Sequence, residues 1–347
     1  MIVPNFEPSV LSLLTTMYCT AKCRNCCFQC SPHRKEKMTL CEMKSYIDIV
    51  GKEFPTVKIV VFSGGECTSL KDDLLNSIQY AHENGFKTRI VTNAFWASSY
   101  DKAYNQLFLF KQYGLDEINY STGDDHQEWV PYENIVNACL AARSLGFNVL
   151  VNVESHPDSS FNSSVFKNDI RISRYLGEDI FDSNSIKIMQ GIWMPVDEQE
   201  KHNRIHVKVK PQYKACESLF ETLAIIPNGD IYCCCGLTCL ENPFLKVGNI
   251  HSSSRQEIMS NQFDDILKIW MHTEGPYKIL EFLYKDNIEK LSQIDYSMHI
   301  CEACKMIFTD PDNLDYLKKH ISSILPNLVF KYNLLLKKRC SYEKKHY

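Results

Sequence analysis

The chain has 347 residues, of which 44% are hydrophobic and 23% charged, and a formal net charge of −4. This composition excludes a disordered or fibrous chain, and the charge excludes the strongly basic footprint of a general nucleic-acid binder. No apolar run reaches the roughly 18 residues of a membrane span. Met1-Ile-Val-Pro-Asn-Phe-Glu7 lacks a basic stretch leading into an apolar one, so the reading is no signal peptide, no membrane and a cytoplasmic protein. The 16 Cys of such a chain point to metal or redox chemistry rather than to disulfides.

In chain order, residues 9–16 predict a short buried strand leading into a cysteine-rich loop. Residues 41–52 have helical spacing. Val57 to Phe62 predicts a second strand, ending in Ser63-Gly64-Gly65-Glu66, and residues 71–84 a helix. Strands over 86–92, 115–121, 147–153 and 185–190 then alternate with helices over 101–113, 133–145 and 165–176. This alternation predicts an α/β fold with a parallel sheet. Residues 192–214 read as a polar linker. Leu223 to Tyr232 predicts a β-hairpin turning at Asn228-Gly229, followed by helices near 255–272 and 276–290 and after Cys304. The end, Lys337 to His346, is locally basic and reads as a solvated helix end or an acidic-partner docking patch.

The cysteines are grouped. Cys19-x3-Cys23-x2-Cys26 places three thiols in one short loop, with Cys27 and Cys30 just behind. Three thiolates can hold three corners of a [4Fe–4S] cluster and leave one iron open to a small molecule. Zinc is the competing reading, with Cys27 or Cys30 as fourth ligand. Gly64-Gly65-Glu66 lets a backbone approach a ligand closely. Asn93, Ser121 and Asn152 sit at later strand ends as polar contacts, and Asp125-His126 follows the fourth strand as a substrate-holding or proton-transferring pair. A second group comprises Cys216, the run Cys233-Cys234-Cys235, and Cys301-x2-Cys304. Four of these thiolates can close around a second cluster, with zinc again the alternative. Neighbouring side chains on a strand face opposite ways, so a ligand at Cys234 leaves Cys233 and Cys235 on the other face.

The spacing Cys19-x3-Cys23-x2-Cys26, with Gly64-Gly65-Glu66 at the next strand end, resembles the radical S-adenosyl-L-methionine (SAM) enzymes. The resemblance implies a partial (β/α)6 TIM-like barrel over residues 1–200, whose sites gather at the C-terminal strand ends. It implies a small auxiliary [4Fe–4S] domain of SPASM or twitch type over 201–320, and a C-terminal helix and basic tail over 321–347. The implied cofactors are two [4Fe–4S] clusters and SAM. The first cluster would be held by Cys19, Cys23 and Cys26, with Gly64, Gly65, Glu66, Asn93, Ser121 and Asn152 contacting SAM. The second would be held by Cys216, Cys234, Cys301 and Cys304. Many members carry an aromatic residue that packs on adenine where this chain has Asn25.

The run Cys23-Arg-Asn-Cys26-Cys27-Phe-Gln-Cys30-Ser-Pro32 is more narrowly similar to the epipeptide (YydG-type) peptide epimerases. So are Thr92-Asn-Ala-Phe-Trp96, Gly229-Asp-Ile-Tyr232 and Cys301-Glu-Ala-Cys304. That resemblance implies a ribosomally made precursor peptide as substrate and a reducing donor of flavodoxin or ferredoxin type. It implies loss of a Cα hydrogen from an L-residue and return of a hydrogen from a Cys on the opposite face. Matching the hairpin puts the ligand at Cys234 and the donor at Cys235, with Cys233 as the alternative. A peptide maturase that forms C–S, C–C or C–O cross-links, and a non-catalytic iron–sulfur or zinc protein, are the other two readings.

Overall fold

A computed structural model describes residues 7–155, 159–176, 185–192, 214–263, 265–296 and 298–346. The expected linker, apart from its two ends, and the expected boundary at 200/201 lie outside the described residues. The chain divides into two compact units. A barrel unit comprises Val10–Ile205 and Ile225–Gly229, and a C-terminal unit comprises Met1–Ser9, His206–Ala224 and Asp230–Tyr347.

In the barrel unit the elements are β1 (Val10–Thr16), α1 (Leu40–Glu53), β2 (Ile59–Gly64), α2 (Asp72–Glu83), β3 (Lys87–Thr92), α3 (Tyr100–Gln112) and β4 (Glu117–Thr122). They continue with α4 (Asp124–Gln127), α5 (Tyr132–Ser144), β5 (Asn148–Ser155), α6 (Ser163–Asn168), α7 (Ile170–Ser173) and β6 (Ile186–Ile192). The strands lie in the order β6-β5-β4-β3-β2-β1, and every adjacent pair is parallel. This is the partial (β/α)6 TIM-like arrangement.

The strands alternate in character because they alternate in face. On β3, Thr88 and Ile90 are buried, while Arg89 and Val91 line cavities. Burying Leu13, Leu14 or Phe62, each at 0–1% exposure, contributes about 1.5–3 kcal/mol per side chain. Helix α1 starts at a capping box: the Glu42 N–H donates to Thr39 Oγ1 at 3.2 Å, and the Thr39 N–H donates to Glu42 Oε2 at 2.7 Å. Such a cap is worth about 1 kcal/mol.

The C-terminal unit carries β7 (Thr222–Ile225), of which Thr222–Ala224 belong to it, then β8 (Asp230–Tyr232) and β9 (Lys246–Asn249). Strands β8 and β9 pair antiparallel. The helices are α8 (Arg255–Phe263), α9 (Ile266–Glu274), α10 (Pro276–Tyr284), α11 (Ile288–Ser292), α12 (Ile300–Thr309), α13 (Pro311–His320) and α14 (Leu325–His346). The hairpin turn is where the Asn-Gly pair predicts it, with Gly229 at φ +83° and its N–H 2.8 Å from the Ile226 carbonyl. Among the described residues no helix is long and apolar enough to cross a membrane.

Three expected helices are each split in two. The stretch 165–176 breaks at Asp169, whose carboxylate accepts from the Arg171 N–H at 2.9 Å. The stretch 255–272 breaks before Asp265, which caps the Leu267 N–H at 3.0 Å. The stretch 276–290 breaks at Asn287, which accepts from the Lys290 N–H at 3.0 Å. In each case a short Asp or Asn side chain outcompetes helix continuation by satisfying the first N–H groups of a new helix.

Candidate active site and cluster-binding thiols

The cysteine loop leaves the C-terminal end of β1 and folds back on backbone bonds. The Met17 N–H donates to the Glu36 carbonyl at 2.8 Å, and the Cys19 N–H to the Ser31 carbonyl at 3.2 Å. Within it, the Cys26 N–H donates to the Cys23 carbonyl at 3.2 Å. Cys19, Cys23 and Cys26 line one cavity of about 100 Å³. Gly64, Gly65, Asn93, Ser121 and His126 line the same cavity, as do Cys27 and Cys30. The structure therefore gathers eight of the eleven residues expected at the barrel site around one space.

The Gly-Gly step is a close approach. The Gly65 N–H donates to the Thr16 carbonyl at 2.6 Å, and the Glu66 N–H to the Tyr18 carbonyl at 2.8 Å. A Cβ on Gly65 would lie 2.0 Å from Tyr18 O, and one on Gly64 would lie 2.4 Å from Thr16 O. Only glycine permits this backbone contact, which pins the β2 end against the chain entering the thiol loop.

Glu66 stands behind the cavity, fully buried. Its carboxylate accepts from Thr68 Oγ1 at 2.6 Å, Thr92 Oγ1 at 2.8 Å and the Asn93 N–H at 2.9 Å. Burial pushes this carboxyl up and those donors pull it down, with burial dominant. It thereby fixes Asn93, whose amide nitrogen is 3.1 Å from Thr20 Oγ1 and 3.7 Å from Cys19 Sγ. What the Gly-Gly-Glu motif offers the cavity is the backbone of its glycines. Asn152 does not line the cavity; it pairs in register with Ser121, which does.

The two candidates on α4 differ. The Asp125 side chain has no exposure and is held by Arg24 and Asn25. His126 reaches the cavity. Its N–H donates to Glu154 Oε1 at 3.0 Å, and its Nδ1 lies 2.8 Å from Glu154 Oε2. Glu154 is fully buried and escapes sequence reading by motif. Period-two counting finds it, because Asn148, Leu150, Asn152 and Glu154 share one face of β5.

The thiols are electrostatically uneven. Burial pushes Cys19 up to about 12, and burial pushes Cys23 up further. Cys26 is held below the usual thiol range, chiefly by the Cys30 thiol and then by the backbone N–H groups of Cys30 and Phe28. The Cys30 N–H is 3.3 Å from Cys26 Sγ.

The second thiol group lies within the C-terminal unit. Cys216 enters where its N–H donates to the Met271 carbonyl at 3.2 Å. The run Cys233 to Cys235 leaves the end of β8, and the Cys233 N–H donates to the Leu245 carbonyl at 2.9 Å. A Cβ on Gly236 would meet Cys301 Sγ at 3.0 Å and Cys234 Sγ at 3.9 Å, so those two sulfurs converge on one bare backbone position. Asn242 Nδ2 lies 3.6 Å from Cys304 Sγ, and Thr238 Oγ1 donates to the Cys301 carbonyl at 2.9 Å. Cys239, outside the expected ligand set, is also buried here, and burial pushes its thiol up.

Among the described residues no three thiol, imidazole or carboxylate groups converge on one ion-sized point. The first thiols ring a cavity instead, and a backbone cradle faces them. Three cysteines spaced around a cavity, with a glycine backbone beside them, fit a cluster held at three corners.

Comparison with known proteins agrees with this chemistry. Residues 13–156 match the radical SAM superfamily, and residues 216–305 match SPASM, an iron–sulfur cluster-binding domain. The chain carries a radical SAM domain followed by a SPASM domain. Among solved structures, a polyhistidine-tagged anSMEcpe with bound AdoMet is similar at 12% identity and a TM-score of 0.52, over 94% of this chain and 99% of that one. BtrN in complex with AdoMet and 2-DOIA is similar at 11% identity and a TM-score of 0.45, over 78% and 89%. The first of these likenesses is one of fold. No curated protein matches the chain.

The radical SAM domain brings SAM and a [4Fe–4S] cluster, and the SPASM domain brings auxiliary iron–sulfur chemistry. A second cavity of about 840 Å³ in the barrel unit shares no lining residue with the thiol cavity. Its lining is mixed, with Arg89, Glu117, Asn119, Asn148 and Lys187 beside Val149, Leu150, Ile186 and Ile188.

Proposed function

We propose that the protein is a radical SAM peptide epimerase, converting an L-residue of a ribosomally made precursor peptide to its D-form. The observation that carries this reading is the division of the three adjacent thiols at the end of β8. Cys233 and Cys234 are 0% and 6% exposed, whereas Cys235 is exposed. Cys234 Sγ converges with Cys301 Sγ on Gly236, as a cluster ligand would, and the exposed Cys235 is the hydrogen donor.

In this reading Cys19, Cys23 and Cys26 hold the barrel cluster, and Cys216, Cys234, Cys301 and Cys304 hold the auxiliary one. SAM held beside the first cluster would, on one-electron reduction, supply the radical that takes a hydrogen from the peptide. Backbone at Gly64 and Gly65, with Asn93 and Ser121, orients its polar groups, and Asn152 supports Ser121 from the neighbouring strand. His126, anchored by Glu154, lines the cavity beside the thiols. The peptide residue loses its Cα hydrogen, and the Cys235 S–H bond breaks as a C–H bond forms on the opposite face. The resulting thiyl radical takes up one electron and one proton, the electron coming from a reducing partner of flavodoxin or ferredoxin type.

The test is the reaction in D2O with the candidate precursor peptide. Epimerisation incorporates one deuterium per converted residue with no loss of hydrogen, read by mass spectrometry and chiral amino-acid analysis. A product lighter by a pair of hydrogens and without deuterium overturns the epimerase reading and supports cross-link formation.

A further inference from the structure

The cysteine loop carries a second constraint that its spacing does not reveal. Asp125, in the first turn of α4, has no side-chain exposure. A buried carboxylate is retained only where donors satisfy it. Every donor described here comes from the two residues between Cys23 and Cys26. Asp125 Oδ1 accepts from Arg24 Nε at 3.2 Å and Arg24 Nη2 at 2.8 Å. Asp125 Oδ2 accepts from the Asn25 N–H at 3.2 Å and from the Asn25 side-chain amide. Asn25 is itself 1% exposed, and it is not among the residues that line the thiol cavity.

We propose that Asp125 is a positioning residue for the SAM-binding cluster, clamping Arg24-Asn25 and so setting the spacing of the Cys23 and Cys26 sulfurs from the β4–α4 turn. Both soft dihedrals of the two intervening residues are restrained, because one carboxylate grips a backbone N–H, an amide and a guanidinium together. A charge-assisted, two-point grip of this kind is geometrically selective as well as strong. The other end of the clamp is fixed too, since the adjacent His126 is bonded twice to Glu154 of β5. Strands β4 and β5 thereby support a loop that leaves β1. The clamp also accounts for Asn25: at this position the chain uses an amide to organise the loop.

The inference rests on Cys19, Cys23 and Cys26 being the cluster ligands, and its test keeps the two ideas apart. The full-length protein is reconstituted anaerobically as wild type, Asp125→Asn, Asn25→Ala and Cys23→Ala. Iron release to a ferrous chelator, thermal unfolding, and the EPR spectrum of the reduced protein with and without SAM are recorded. Asp125→Asn keeps the shape but turns an amide donor toward the donors of Arg24 and Asn25. It is expected to release the barrel iron roughly tenfold faster and to lose the SAM-dependent change in the EPR spectrum. The auxiliary cluster is an internal control whose signal stays unchanged. Asn25→Ala shifts the same readouts in the same direction, and it decides the matter if Asp125→Asn does not fold. Wild-type iron release and a wild-type SAM response in a folded Asp125→Asn, or in Asn25→Ala, overturn the clamp. A SAM-responsive signal that persists in Cys23→Ala overturns the ligand assignment and the clamp with it.

Discussion

Replacing Cys19, Cys23 or Cys26 by Ala abolishes formation of 5′-deoxyadenosine from SAM while the protein stays folded. Each thiol is only partly buried, so its loss removes a ligand without opening a large void in the core. The cavity these thiols line has no substitute donor that matches them in kind and spacing. Cys30 is buried and bound up with Cys26. Cys27 lines the cavity but immediately follows Cys26, so it cannot replace Cys19 or Cys23 across the loop. Iron content should fall by about four per chain, leaving the auxiliary cluster's share, and turnover should fall by about a thousandfold or more. Iron analysis together with chromatographic detection of 5′-deoxyadenosine checks both parts.

Cys235→Ala has an equally large effect but at a different step. It leaves SAM cleavage within about twofold of wild type while D-residue formation falls by about a hundredfold or more. The separation follows from placement. Cys235 is exposed and lies in the C-terminal unit, whereas the thiols expected to bind SAM's cluster lie in the barrel unit. Cys234→Ala behaves otherwise. Cys234 is buried and its sulfur converges with that of Cys301 on Gly236, so its loss takes the auxiliary cluster and lowers the melting temperature. Deuterium counting and 5′-deoxyadenosine yield, measured on the same samples, distinguish the two variants. Retained epimerisation in Cys235→Ala shows that another group, with Cys233 first in line, donates the hydrogen.

Much of the barrel was legible because its signals are local. Apolar runs of strand length alternate with helical spacing, and Gly-containing stops separate them. Cysteine spacing, together with Gly64-Gly65, was enough to bring one cavity into view. The split helices were not legible, because Asp169, Asp265 and Asn287 sit inside otherwise acceptable helical patterns. Whether such a residue caps a new helix is decided by packing around it. The buried carboxylates were the larger gap. Glu66 reads as a ligand contact but spends its oxygens on Thr68, Thr92 and Asn93. Asp125 reads as a barrel-mouth acid but binds residues a hundred positions earlier in the chain. Glu154 has no motif at all. Pairings at such separations follow from parallel strand order, which a sequence shows only as repetition.

Anaerobic reconstitution of the full-length protein, with iron, sulfide and zinc analysis before and after SAM is added to the reduced form, separates iron–sulfur from zinc chemistry in this chain. The expected result is about eight iron per chain, as two [4Fe–4S] clusters, and 5′-deoxyadenosine formed on reduction. Zinc bound in place of iron, with no 5′-deoxyadenosine, would contradict it.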